Sequence, residues 1–165
     1  MKTKIITTLP GPKSTKILNQ LKKLNGSNSG YYPFVHSDKG QGCYFQDIDG
    51  NTFLDFGSQI CSNPLGYNHP NLKEIIRKYK THPLKYAGQD FAIEEHLNLL
   101  KELTSITPKG LNAAFIINSG AEAVENAIKL SLRKQKQAKY GISFESAFHG
   151  RTLGALSLTN TMKHQ

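Results

Sequence analysis

The junction between a short apolar run and an amphipathic helix most constrains how this chain folds. Residues 115–130 read FIINSGAEAVENAIKL, and Asn-Ser-Gly separates the two patterns. The run NAAFIIN before the junction is typical of a strand covered on both faces. After the junction, a continuous apolar stripe indicates a helix to about Lys139, stopped by Gly141. The stripe consists of Ala121, Val124, Ile128 and Leu132.

A second apolar run, YGISFES, follows this helix and predicts a second buried strand. The segment GRTLGALSLT then begins another helix or turn. Strand, helix and strand in this order predict an α/β fold with a parallel sheet. Two strands make an incomplete sheet, so we interpret the chain as the first part of a larger α/β domain.

The N-terminal part has a different organisation. STKILNQLKKLN predicts a short amphipathic helix capped by Ser14. The sequence GCYFQDIDGNTFLDF predicts a β-hairpin that turns at Asp49-Gly50, and its aspartates are interpreted as turn residues rather than metal ligands. Two further helices are predicted, one capped by Asn71 and running to about Tyr79, and one from about Ile93 to Ser105. We therefore divide the chain into an N-terminal segment, residues 1–65, and a truncated large domain, residues 66–165.

Composition excludes several classes of function. The chain has 165 residues, of which 38% are hydrophobic, enough for a real core. Its net charge of +9 comes from scattered lysines without interleaved aromatics, which does not favour nucleic-acid binding. The spacing of Cys43 and Cys61 indicates neither a zinc site nor a disulfide framework. No stretch is long enough for a membrane span, and no signal peptide is expected, so we predict a cytoplasmic protein.

The junction itself is a candidate anion site. Ser119 and Glu122 form the S-x-x-E pattern of a capping box. Backbone N–H groups at such a helix start favour phosphate, and Gly120 has no side chain to keep an anion away. The pattern is neither G-x-G-x-x-G nor a P-loop. A plain helix cap explains it equally well. If Ser119 caps its own helix, the capping bond occupies an N–H donor that a phosphate could otherwise use.

The segment FESAFHGRTLGALSLT is expected at the same edge of the sheet. There Phe148 could offer a ring face to a flat cofactor, and His149 could contact or shield that ring. Arg151 could hold a substrate carboxylate through its fork of donors. Taken singly, each residue also has an ordinary structural explanation.

Three motifs in order resemble one family. NSGAEAVENAIKLSLR, FESAFHGRTLGALSLT and the upstream DIDGNTFLDFGSQICSNPLGYNHPNL are together similar to the class III aminotransferases. The similarity covers roughly residues 30–160. It implies the type I fold of pyridoxal-phosphate-dependent transferases, represented here by its N-terminal part: an N-terminal helix and hairpin, then an incomplete large-domain sheet.

The resemblance also implies roles at matching positions. The N–H groups of Gly120 and Ala121, with the Ser119 hydroxyl, would bind the phosphate of pyridoxal 5'-phosphate. Phe148 would stack on the pyridine ring with His149 beside it, Arg151 would bind substrate carboxylate, and Ile60 would line the substrate pocket. The Schiff-base lysine and the acidic partner of the pyridinium nitrogen belong downstream of FHGRT, beyond Gln165. The chain alone is therefore expected to be inactive.

The motifs S-Q-I and G-Y-x-H-P are similar to the corresponding motifs of 4-aminobutyrate aminotransferases. This resemblance implies amino transfer from an ω-amino acid to 2-oxoglutarate. Acetylornithine and ornithine aminotransferases share FHGRT, and some relatives are racemases or aminomutases. A non-catalytic remnant and a nucleotide-phosphate binding module are further readings. The family's homodimers imply a dimeric full-length protein, with the loop YAGQDF near the interface and small amino and oxo acids as its other partners.

Overall fold

The computed structural model describes residues 1–26, 30–83, 85 and 90–160. The chain forms two compact units, Met1–Leu84 and Lys85–Gln165. The division at residues 65 and 66 stays a prediction. Most of the loop YAGQDF, at 86–89, lies outside the described residues. Among the described helices, none is long and apolar enough to cross a membrane.

The first unit combines helices with a small sheet. Its elements in chain order are α1 (Pro12–Leu24), β1 (His36–Gln41), β2 (Tyr44–Asp47), β3 (Thr52–Leu54), the single turn α2 (Ser58–Cys61) and α3 (Pro70–Tyr79). The strands form one antiparallel sheet in the order β1-β2-β3. The predicted Asn71 cap of α3 is wrong, because the helix begins at Pro70, directly after His69, and Asn71 lies in its first turn. Proline favours this first helical position.

The hairpin predicted at Asp49-Gly50 is present. β2 pairs with β3 so that Phe45 faces Phe53, and Gly50 takes the positive φ of +93° that the turn needs. The strand β1, HSDKGQ, was not predicted because its residues are polar and show no β-prone alternation. It pairs with β2 across an irregularity between His36 and Gly40. Pairing with a neighbouring strand therefore decides its structure, rather than the propensity of its residues.

The aspartates of the hairpin turn fasten the N-terminal arm. The buried Asn51 accepts hydrogen bonds from the N–H groups of Ile6 (2.7 Å) and Thr7 (3.0 Å), and its amide donates to Asp47 (2.8 Å). The carboxylate of Asp49 accepts from the N–H groups of Lys13 (2.8 Å) and Ser14 (2.9 Å). The turn residues thus bind a segment more than 30 positions away along the chain.

The predicted Ser14 cap of α1 is wrong. The helix begins at Pro12 after Gly11, and the carboxylate of Asp49 binds the N–H groups of its first turn. Ser14 is fully buried, and its hydroxyl instead accepts a hydrogen bond from the Val35 N–H at 3.2 Å. A distant acidic side chain does the capping, which local sequence could not reveal.

The core of the first unit is aromatic. Phe45 is 5% exposed, and its ring lies 5.1 Å from Phe53 and 5.2 Å from Phe34. His36 and Tyr67 close the same group of rings. Contacts among these rings favour packing of the sheet against the loop that carries Tyr67.

The second unit is helical in its described part. It contains α4 (Glu94–Ile106), α5 (Gly120–Lys134) and α6 (Leu153–Leu158). α5 starts where the junction predicts but ends at Lys134 rather than near Lys139. Beyond Leu132 the sequence RKQKQ offers no apolar side chain to pack, so nothing holds a further turn in place.

The two strands predicted around α5 are not formed. Within the described residues, NAAFIIN and YGISFES have no ladder partner and carry no strand assignment. Phe115 is 64% exposed and Ile142 is 89% exposed, so these apolar runs are also uncovered. A buried strand requires neighbours on its edges and faces, and periodicity in one segment does not supply them.

Candidate functional site

The N-terminus of α5 is capped by its own residues. The Ser119 backbone is extended, and its hydroxyl accepts a hydrogen bond from the Glu122 N–H at 3.2 Å. In return, the Glu122 carboxylate accepts from the N–H of Asn118 at 2.9 Å, one residue before the position that a standard capping box uses. The capping bond thus occupies the Glu122 N–H and leaves the two preceding donors.

Those two donors belong to Gly120 and Ala121. Among the described residues, none accepts a hydrogen bond from either N–H group. A Cβ added at Gly120 would have no neighbour within 4 Å, so the space in front of the helix start is open. Two N–H groups at the positive end of a 15-residue helix can donate hydrogen bonds to an anion, and the helix dipole favours its negative charge there.

The segment FHGRT packs against this helix start through Gly150. An added Cβ at Gly150 would lie 2.7 Å from the Ala121 Cβ, and its φ is +126°. Both facts restrict the position to glycine. The buried Thr159 holds the segment from behind: its hydroxyl accepts from the His149 N–H at 3.0 Å and donates to the Gly150 carbonyl at 2.9 Å.

The helix start and this segment line an open cavity of about 650 Å³. Five of the residues singled out from the sequence line it: Gly120, Ala121, Phe148, His149 and Arg151. The size lies within the usual range for small-molecule sites. Phe148 is 56% exposed, and Arg151 is exposed. Ser119 stays at the helix cap and is not among the lining residues.

Ile60 lies in the first unit, in the turn α2. All four residues of this turn have positive φ, from +46° at Ser58 to +59° at Cys61, so the turn is left-handed. That conformation is strained for non-glycine residues, and most of all for a β-branched one. Ile60 and Gln59 line a cavity of about 450 Å³ together with rings of the aromatic core.

Asp55 supports this turn. Its carboxylate accepts hydrogen bonds from the Gly57 N–H at 2.9 Å and from the Tyr67 hydroxyl at 2.8 Å. Burial acts to raise the pKa of Asp55, but these hydrogen bonds outweigh it and hold the pKa below its ordinary value. Burial and the neighbouring Asp55 raise the pKa of Tyr67. The pair therefore stays as a carboxylate and a neutral phenol near neutral pH.

Sequence reasoning missed Glu125. Its carboxylate oxygen Oε1 accepts hydrogen bonds from the Thr152 hydroxyl at 2.7 Å and from the Gly154 N–H at 2.9 Å. The Thr152 bond chiefly, with the backbone bonds and Lys129, holds the pKa of Glu125 below its ordinary value. Its position on the half-buried side of α5 was a usable signal, since an acidic residue there needs partners.

The sequence profile of the family described as aminotransferase class III matches residues 26–165. The chain therefore belongs to the class III aminotransferases, a family that depends on pyridoxal phosphate. This confirms the resemblance of the three motifs and the α/β fold class that it implied.

Individual relatives agree with that family. The chain is 34% identical to a probable mitochondrial 4-aminobutyrate aminotransferase of Caenorhabditis elegans, over 95% of this chain and 38% of that protein. It is 41% identical to an acetylornithine aminotransferase of Haemophilus ducreyi, over 73% of this chain and 31% of that protein. The chain thus spans well under half the length of the curated relatives it matches.

Solved structures show the same likeness. An adenosylmethionine-8-amino-7-oxononanoate aminotransferase of Methanocaldococcus jannaschii superposes with a TM-score of 0.73 at 28% identity, over 88% of this chain and 36% of that one. A transaminase from the marine bacterium Virgibacillus gives 0.73 at 26% identity, over 88% of this chain and 33% of that one.

Proposed function

We propose that this chain forms the phosphate- and ring-binding part of an aminotransferase that uses pyridoxal 5'-phosphate. One observation carries the proposal: in a chain of this family, Gly120 and Ala121, whose N–H groups have no acceptor among the described residues, line one cavity with Phe148 and Arg151. The chemistry that pyridoxal phosphate supplies when bound is carbanion stabilisation and carriage of the amino group.

Each lining residue has a definite task in this proposal. The N–H groups of Gly120 and Ala121 bind the phosphate, aided by the positive end of the α5 dipole. The ring of Phe148, with His149 beside it, covers one face of the pyridine and excludes water from it. Arg151 holds a substrate carboxylate through two parallel hydrogen bonds.

The capping bond of Ser119 need not yield to phosphate. Its hydroxyl oxygen accepts from the Glu122 N–H, which leaves the hydroxyl hydrogen to donate to an incoming phosphate oxygen. The conflict expected from the sequence, between helix capping and anion binding, is therefore relieved if phosphate uses the two earlier N–H groups. The N-cap and the phosphate site can coexist at the same helix start.

The proposed reaction moves an amino group from an ω-amino acid, 4-aminobutyrate first, to 2-oxoglutarate. The Caenorhabditis relative and the S-Q-I motif, which contains Ile60, support this donor. Ile60 would line the substrate pocket from its left-handed turn. An acetylornithine-type donor is the second candidate, supported by the higher identity to the Haemophilus protein. A racemase and a non-catalytic remnant remain alternatives within the same family.

The Schiff-base lysine that the family resemblance implies lies outside the motifs matched in this chain. We therefore propose that the isolated chain binds cofactor but does not turn over, and that the full-length protein acts as a homodimer in the cytoplasm. Two exposed free thiols, Cys43 and Cys61, suit a reducing compartment. Steady glutamate formation from 4-aminobutyrate and 2-oxoglutarate by the isolated chain would contradict this assignment.

A substitution at Gly120 tests the phosphate site. Gly120→Pro removes one N–H donor at the first helical position, which proline tolerates, and Ser119 already has the extended backbone that precedes proline. Equilibrium dialysis against pyridoxal phosphate and pyridoxal should show about tenfold weaker binding of the phosphate ester alone, the usual value of one hydrogen bond to a charged group. Equal weakening of both ligands would place the phosphate elsewhere.

The matched control is Gly120→Ala, which keeps the N–H group. Because the space around Gly120 is open in the structure, the added methyl group should not disturb the helix, and circular dichroism should be unchanged. Any loss of affinity in this variant measures how closely the phosphate approaches the α-carbon. The difference between the proline and alanine variants isolates the N–H group.

A donor panel tests the substrate. The assay uses a longer polypeptide that contains both this chain and the Schiff-base lysine. Glutamate formation from 2-oxoglutarate should be fastest with 4-aminobutyrate as the amino donor. A preference for N-acetylornithine or ornithine would select the second candidate.

A further inference from the structure

Glu125 joins α5 to the segment that carries Phe148 and Arg151. Its Oε1 accepts from the Thr152 hydroxyl at 2.7 Å and from the N–H groups of Gly154 and Ala155 at 2.9 Å and 3.3 Å. These N–H groups belong to the first turn of α6, which has no side-chain cap of its own. A carboxylate from one helix therefore caps the other.

Two glycines give this contact its closeness. A Cβ at Gly154 would lie 2.4 Å from the Glu125 carboxylate. A Cβ at Gly150 would lie 2.7 Å from the Ala121 Cβ. The segment is thus fastened to α5 at two points, Gly150 on Ala121 and Thr152–Gly154 on Glu125. Arg151 lies between the two points, and Phe148 lies just before them.

Glu125 is absent from the cavity lining, whereas Thr152, its partner, belongs to it. The Glu125 carboxylate therefore does not face the cavity, and it can affect the cavity only by holding the segment that contains Thr152. Lys129, one turn further along the same helix, adds a favourable charge interaction that helps to lower the pKa of Glu125. A Glu125 that is ionised at neutral pH suits a hydrogen-bond acceptor shared by several donors.

We propose that Glu125 is a positioning residue that sets the distance between the phosphate-binding N–H groups and the ring-binding Phe148. The role rests on the proposed function, because it concerns the fit of one ligand to both parts. Glu125 fixes the place of the ring contact and leaves the phosphate contact to Gly120 and Ala121. Loss of its carboxylate therefore weakens ligands that need both parts and spares a ligand that needs only the first.

The test compares two ligands on the same chain labelled with ¹⁵N. Inorganic phosphate and pyridoxal phosphate are titrated separately, and the amide signals of Gly120, Ala121 and Phe148 report binding. Glu125→Ala should weaken pyridoxal phosphate about tenfold, the value of one hydrogen bond to a charged group, and change phosphate affinity less than twofold. Glu125→Gln retains an acceptor oxygen and should restore part of the lost affinity.

A readout without ligand accompanies these titrations. Amide exchange at Gly154 and Ala155 should become faster in Glu125→Ala, since both N–H groups lose their acceptor. The matched control is Glu102→Ala, which removes an exposed glutamate from α4 and should leave exchange and both affinities unchanged. Thr152→Val removes the 2.7 Å bond while keeping side-chain shape, so it tests the same contact if Glu125→Ala does not fold.

The outcomes separate cleanly. Faster exchange with unchanged pyridoxal phosphate affinity would overturn the proposal, because Glu125 would then cap α6 and nothing more. Parallel loss of phosphate and pyridoxal phosphate would also overturn it, since that pattern reports a general loss of structure. A wild-type chain that binds pyridoxal phosphate no better than phosphate would remove the proposed function itself, and the positioning role with it, whatever the variants show.

Discussion

Gly120 and Gly150 line the same cavity, but the absence of a side chain has a different consequence at each position. The space around Gly120 is open, so its lack of a side chain leaves room for a ligand. Gly150 is buried against Ala121 and Ala155, so its lack of a side chain lets two parts of the protein touch. Under the proposed function Gly120 leaves room for ligand and Gly150 allows close packing, so substitutions at the two positions should have different effects.

Gly150→Ala should destabilise the chain by about 2 kcal/mol or more. The added methyl group meets two alanines at 3.0 Å or less, and the φ of +126° strains any L-residue. Urea denaturation followed by circular dichroism measures the free energy of unfolding. Gly141→Ala is the control, because a Cβ there lies 3.8 Å from Leu158 and needs no positive φ. Equal effects of the two variants would disprove the close packing.

Asp49 should make the stability of the first unit depend on acid pH. Burial acts to raise its pKa, but hydrogen bonds from Ser14 and Lys13 prevail and lower it. A lowered folded-state pKa means that the stabilisation is fully present above the unfolded value of about 3.9 and is lost as pH falls through the folded value. The melting temperature should therefore decrease as the pH is lowered below about 4.

Asp49→Asn should lose much of this acid dependence and melt at a lower temperature at pH 7, because each carboxylate oxygen accepts from one N–H group and an amide has only one acceptor oxygen. Asp38→Asn, at an exposed strand position, is the control. If both variants melt like the wild type from pH 3 to pH 7, Asp49 does not fasten α1.

At the scale of elements, the left-handed turn α2 is the most unusual feature. Four successive non-glycine residues hold positive φ, although each such residue costs roughly 1–2 kcal/mol. Strain of this kind persists where the surrounding structure imposes it, and it clusters at functional sites. The Gly57 N–H donates to the Asp55 carboxylate and the Ser58 hydroxyl donates to the Asn63 carbonyl, and these hydrogen bonds brace the two ends of the turn.

Ile60→Gly should stabilise the first unit by about 0.5–1 kcal/mol. Glycine relieves the strain at φ +59°, and this gain exceeds the entropy that a glycine loses on folding. Little packing is lost, because Ile60 is 89% exposed. Chemical denaturation measures the change, with Ile60→Val as a control that keeps the β-branch. A destabilised glycine variant would show that Ile60 packs in solution.

Sequence predicted those elements whose determinants are local. The start of α5 follows from Ser119 and its helical stripe, and the hairpin follows from Asp49-Gly50. The cap of α1 could not be predicted, because its acceptor lies 36 residues further along the chain. The left-handed turn has no signature in S-Q-I-C, and the predicted strands lack pairing partners among the described residues. The motifs were enough to group Gly120, Phe148 and Arg151 at one place, and these residues do line one cavity. Their binding roles stay predictions, and the contacts of Glu125 could be found only from the fold.

At the scale of the whole molecule, two units are present, and each holds residues that the family resemblance assigns to function. The second unit carries the proposed phosphate and ring contacts. The first carries Ile60 on a strained turn beside an aromatic cavity. In the proposed function, one cavity of the second unit offers an anion site and a ring platform to the same ligand.

The crystal structure of this chain with pyridoxal phosphate tests that claim most directly. A phosphate oxygen should lie about 2.7–3.2 Å from the nitrogen of Gly120 or Ala121, the normal length of such a hydrogen bond. The pyridine ring should lie against Phe148 in the same cavity. Electron density for the phosphate at another position, or a cavity that stays empty at saturating ligand, would contradict the account.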